Sequence, residues 1–158
     1  MMLAYRLVRL IETHSNQLAE GLLEKLHQCE KCRDYRTRVP AEDFRTAVFE
    51  IYNHLGEWLL GKSEQDIERR YVQIGIRREQ QGVPLSELMY AIVLTRDHLW
   101  DFLKKEDPLD RPVEVFGELE MLQMLEAFFD KAIYYAAVGY EKARAEEKTK
   151  NREAVHAK

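Results

Sequence analysis

The chain has 158 residues, nearly half apolar and a third charged, with a net charge of −4. That length holds one domain with a real core and is short of two. The composition is that of a folded chain, and the acidic balance excludes a general electrostatic draw to nucleic acid or anionic lipid. No apolar run approaches the ~18 residues of a membrane span. The opening MMLAYRLVRLIETHSNQ lacks the apolar core and cleavage site of a secretory leader, so a cytoplasmic setting is expected.

Helical periodicity then runs the length of the chain. A first helix is predicted over about 3–26, with Leu3, Leu7, Leu10, Ile11, His14, Leu18, Leu22 and Leu26 at steps of three and four. Residues 27–40 break that period and read as a helix-end loop. Pro40 suits the first turn of a second helix reaching about Leu60, where Glu42 and Asp43 complement the dipole. Phe44, Val48, Ile51, Tyr52, Leu55 and Leu59 form its apolar face, and Gly61 suits the position past its end.

Ser63 opens S-E-Q-D, a capping box with Asp66 in place of the usual Glu or Gln. The third helix carries Ile67, Tyr71, Ile74 and Arg78 and stops at Gly82. Pro84 begins a fourth, with Leu85, Leu88, Met89, Ile92, Leu99 and Phe102 or Leu103 inward. Lysines in its last turn and then Pro108 mark its stop. The fifth helix runs from about Pro112 to at least Glu147 with two apolar stripes. One is Val115, Leu119, Leu122, Phe129, Ile133, Ala136 and Tyr140; the other is Met121, Met124, Phe128 and Tyr135. Two stripes predict two packing surfaces, the bundle and a partner chain, against the alternative of a helix buried all round in its own core. A single domain is expected at 1–145. The charged tail, 146–158, is expected to be a solvated helix or a frayed end.

Chemistry is sparse. Cys29 and Cys32 form a C-x-x-C, with His27 a possible third metal ligand, but a structural zinc site wants four ligands and no second pair exists. A thioredoxin-like motif needs a preceding strand, and residue 33 is Arg where covalent haem attachment needs His. The pair reads as incidental thiols, with redox sensing or zinc as the alternatives. His98 is the candidate haem ligand of an all-helical bundle, against an ordinary core histidine with a hydrogen-bonded nitrogen. No phosphate loop, nucleophile elbow or zincin motif occurs, so no catalytic residue and no cofactor is assigned. In IERRYVQIGIRREQQG, Arg70, Arg77, Arg78 and Gln81 surround Tyr71 and Ile74. Arg70, Arg77 and Arg78 suit an anion or a partner's carboxylates, or else form a solvated face paired with Glu68 and Glu79. They are too few for a nucleic-acid footprint.

Three stretches carry a family likeness. RREQQGVPLSELMYAI at 77–92 resembles the signature of the N-terminal domain of RsbR-type proteins, the RsbT co-antagonists of the bacterial stressosome. FFDKAIYYAAVGYEKA at 128–143 resembles that family's closing helix. RDYRTRVPAEDF at 33–44 resembles its connection between the first two helices, and singles out Tyr35. The resemblance spans roughly residues 5–145. It implies a non-haem, globin-like bundle that dimerises and acts as a sensory input, with a last helix that in relatives continues into an output domain. The combined expectation is an all-α, five-helix globin-like bundle with a long C-terminal helix. It is expected to be a non-enzymatic homodimer that meets a signalling protein, with Arg77, Arg78, Gln81, Phe128 and Tyr135 as interaction residues. The rival expectation is a small-molecule or haem sensor with an internal pocket among Tyr52, Trp58, Tyr71, Tyr90, Trp100 and the methionines.

Overall fold

In the computed structural model the backbone is described over residues 2–106 and 112–157, with side chains from 6 to 106 and from 119 to 157. The described residues form seven α-helices, one 3-10 turn, one π turn and no strand. The helices are α1 (Met2–Thr13), α2 (Ser15–Gln28), α3 (Arg33–Arg38), α4 (Ala41–Asn53), α5 (Glu64–Gln80), α6 (Leu85–Glu106) and α7 (Pro112–His156). The all-α bundle with a long last helix is thus as expected. The stop expected at Pro108, and the side chains of Leu3 and Val115, lie outside the described residues.

The helix count differs from five, and the reasons are local. The first predicted helix is two helices, because His14 leaves helical geometry at φ −102° and ψ 18°. Its Nδ1–H donates to the Leu10 carbonyl at 2.8 Å, and its backbone N–H is shared between the Leu10 and Ile11 carbonyls. A side chain that competes for the i−4 carbonyl bends a helix. The second predicted helix breaks likewise at His54 (φ −116°, ψ 28°), before a π turn at Glu57–Gly61. The two breaks face each other, with Ser15 Oγ 3.2 Å from Asn53 Oδ1. Residues 27–40 are an ordered connector: a 3-10 turn at Glu30–Cys32 leads into α3, and Pro40 is the N-cap of α4 instead of its first-turn residue. The capping box is present, with Asp66 N–H donating to Ser63 Oγ and Ser63 N–H to Asp66 Oδ2, at 3.2 and 2.9 Å.

One apolar core runs from Leu7 to Tyr140. α5 and α7 lie side by side in the same direction, because their contacts climb together. The Tyr135 hydroxyl donates to Glu64, and Gly75 lies against Ala136 and Tyr140 further along. α6 runs back along α7 in the opposite sense, its start tied to Tyr140 through the Val83 carbonyl and its far end to Glu126, to which Trp100 Nε1–H donates at 2.8 Å. The α5–α7 crossing is close enough to require glycine on both helices. A Cβ on Gly75 would stand 2.0 Å from the Ala136 carbonyl oxygen, and one on Gly139 would stand 2.0 Å from the Val72 carbonyl oxygen. Past Ala143, α7 is exposed through to Ala157. Among the described residues no helix is long and apolar enough to cross a membrane.

Candidate functional site

The turn between α5 and α6 is built by its sequence. Gly82 has φ +79°, a left-handed conformation that only glycine takes without strain. The Val83 N–H reaches back to the Arg78 carbonyl and the Gly82 N–H to the Glu79 carbonyl, the paired bonds of a Schellman ending. Val83 is fully buried, and its carbonyl accepts the Tyr140 hydroxyl at 2.8 Å. The stretch 77–92 is therefore tied directly to the GYE segment of α7.

The connector joins the same knot. Arg78, 4 % exposed, donates from Nε to the Tyr35 hydroxyl at 3.0 Å and from Nη1 to Gln81 Oε1 at 2.9 Å. Its guanidinium also stacks over the Tyr35 ring, 5.6 Å from the centroid. Glu87, in the first turn of α6, accepts the backbone N–H groups of Asp34 and Tyr35 at 2.9 and 3.4 Å. One carboxylate thus favours the start of α6 and caps the start of α3. The three stretches that carried the resemblance meet here in space.

Of the five expected interaction residues, only Arg78 and Gln81 lie at this knot. Arg77 is exposed and bonds to Asp43 at 2.9 Å. Phe128 is inside the chain's own core, 3 % exposed, with ring centroids 5.9 Å from Trp58, 5.9 Å from Tyr71 and 5.2 Å from Phe129. Tyr135 is half-buried and donates to Glu64. Met121 is also fully buried, so the second stripe of the last helix mostly packs inward. Among the described residues the exposed large apolar side chains of α7 are Leu119, Tyr134, Val138 and, beyond the bundle, Val155.

The thiols sit beside the knot. Cys32 is fully buried, and burial, with Cys29 and Glu87 beside it, pushes its thiol up to about 12. That suppresses the thiolate on which redox and metal chemistry depend. Only the backbone carbonyl of His27 takes part, accepting from Arg36. Among the described residues no three His, Cys, Asp or Glu side chains are placed to hold a metal, so His27 is not brought to the two thiols.

His98 lies on the α2–α6 seam, its Nε2 3.0 Å from the Leu18 carbonyl. That acceptor requires Nε2–H and leaves Nδ1 buried without a partner among the described residues. Burial, reinforced by Lys25, holds its pKa below the usual histidine range. His98 lines an open groove of about 630 Å³ between α2 and α6, with Lys25, Asp101 and Phe102, and not the small apolar cavity between α4, α5, α6 and α7. That cavity of about 50 Å³ has no room for a porphyrin. Of the expected pocket aromatics only Tyr71 lines it. The Tyr52 hydroxyl is spent on the Thr95 carbonyl at 2.8 Å.

Sequence reasoning missed Glu87, which reads simply as a first-turn acid of α6. It also missed Gly75 and Gly139, although isolated glycines in helical patterns were a usable signal of close approach.

The described residues thus form a helical bundle fastened by one polar knot, with a closing helix that outruns its core. The chain belongs to the family described as the RsbT co-antagonist protein rsbRD N-terminal domain, whose model matches residues 16–155. Comparison with curated proteins found no significant match, and neither did comparison with solved structures.

Proposed function

We propose that the chain is a non-enzymatic input and interaction domain of bacterial signal transduction, working as a homodimer in the reducing cytoplasm. Family membership over residues 16–155 carries this reading. The shape of α7 supports it. One face holds Ala132, Ala136, Gly139 and Ala143 against the bundle, while Leu119, Tyr134 and Val138 look outward. A second copy is the partner assigned to that outward face, with Tyr134, 63 % exposed, at its centre. A change in the bundle would then pass along α7, whose rigid backbone links the knot at Tyr140 to the exposed end. The signalling protein that reads this end would be of the RsbT kind that the family description names.

Light scattering of the purified chain at tens of micromolar tests the assembly. A mass of twice 18.7 kDa is expected, falling to 18.7 kDa in Tyr134→Glu with helicity unchanged. A monomeric parent chain contradicts the proposal.

A further inference from the structure

Among the described residues Arg78 is the only buried cation and no carboxylate is paired with it. Its hydrogen bonds go to two neutral groups, Tyr35 and Gln81, through Nε and Nη1, while Nη2 is not among the buried unpartnered atoms, so that edge of the guanidinium is open to solvent. A guanidinium held in place through Nε and Nη1, with its remaining edge open, is a ready donor to an incoming anion.

The surroundings of Arg78 suit an incoming anion. On its outer side a groove between α4 and α5 is lined by five cations, Lys62, Arg69, Arg70, Arg77 and Arg78, against three carboxylates, Asp43, Glu50 and Asp66. This local surplus stands out in a chain of net charge −4. The groove also holds Arg70 Nε, a buried donor with no acceptor among the described residues. On its inner side lies the cavity of about 50 Å³, walled by Val48, Ile51, Leu88, Ala91 and Phe129. Ala47, Ile74 and Arg78 line both spaces, so the groove and the cavity adjoin at Arg78. One water-sized group needs about 10–15 Å³ by this measure, so the cavity takes about three to five.

We propose that this is a binding site for a small monocarboxylate with a short apolar tail, of the size of butyrate. The carboxylate sits on the free edge of Arg78 and the tail fills the cavity. A phosphate fits less well, since its further oxygens would face apolar walls without donors. The groove arginines raise the local anion concentration, and the occupied cavity joins α4, α5, α6 and α7 around the knot. The ligand would be the signal of the input domain proposed above, and the assignment of a signal rests on that reading.

The test is thermal unfolding of the 158-residue chain in sodium butyrate, with sodium chloride at equal ionic strength, butyramide and butylammonium as controls. Butyrate is expected to raise Tm saturably, by about 4 °C at ten times its Kd, and the three controls to leave it unchanged. Arg78→Gln is expected to lose the effect. Ala91→Leu fills the cavity while keeping the guanidinium, and is expected to weaken butyrate at least ten-fold. It decides the matter should Arg78→Gln fail to fold. A butyrate shift no larger than that of chloride, or one that Ala91→Leu leaves intact, overturns the site. Light scattering on the same samples separates the two claims, because a dimer that ignores butyrate removes the ligand and leaves the dimeric input domain standing.

Discussion

Gly75→Ala tests the α5–α7 crossing on which the transmission argument depends. The added Cβ would lie 2.0 Å from the Ala136 carbonyl oxygen and 2.8 Å from the Tyr140 nitrogen. Real Cβ contacts essentially never fall below 3.0 Å, so the helices must part by about 1 Å at this point. The obstacle is backbone on a rigid helix, which cannot swing aside. Overpacking of this kind costs about 1–3 kcal/mol, occasionally more, and a backbone clash belongs at the upper end. Alanine returns about 1 kcal/mol through its better helix propensity. The net expectation is a loss of about 2 kcal/mol, or about 4–8 °C in Tm for a chain of this size. Urea unfolding followed by circular dichroism measures it. Gly61→Ala is the control, because a Cβ there meets nothing within 4 Å. If Gly75→Ala is as stable as the parent chain, the close crossing is wrong.

Three further outcomes are expected. His98 has its folded pKa held below the unfolded value of 6.5, so the unfolded chain binds the proton more readily. Its contribution to stability is present above about 6.5 and is lost as pH falls below it. His98→Gln should therefore lose less of its urea midpoint between pH 7.5 and 5.5 than the parent chain does, and equal losses refute the assignment. Native thiol titration at pH 8 should find one fast-reacting cysteine per chain, Cys29, with Cys32 reacting only on unfolding; two fast thiols contradict the burial of Cys32. Tyr140→Phe removes the donor to the buried Val83 carbonyl and should cost about 1–3 kcal/mol in urea unfolding, whereas an unchanged midpoint means that bond is not made.

Much of the fold was legible because amphipathic period and capping chemistry are local. The capping box at Ser63 and Asp66, the start of α7 at Pro112, and the turn at Gly82-Val83-Pro84 all follow from neighbours in sequence. The breaks at His14 and His54 were not legible, since a continuous apolar stripe crosses each, and at His14 the break depends on how the side chain bonds to backbone. The connector was misjudged because its order comes from Glu87 and Arg78, some fifty and forty residues away. At the knot, the resemblance picked out Tyr35 and the 77–92 stretch, but only the structure brings them together. The second stripe of the last helix predicts a partner surface, yet most of it packs inward. Burying Phe128 needs Trp58 and Tyr71 from other elements, and no pattern within α7 could show that.

The central claim is that two copies pair along the outward face of α7. The most direct measurement is the distance between spin labels on Val138→Cys in a Cys29→Ser background, by double electron–electron resonance. Paired α7 helices lie about 8–10 Å apart, so with the label arms a single narrow distribution at roughly 15–30 Å is expected. Absence of dipolar modulation at tens of micromolar, or a distance well beyond that range, contradicts the account.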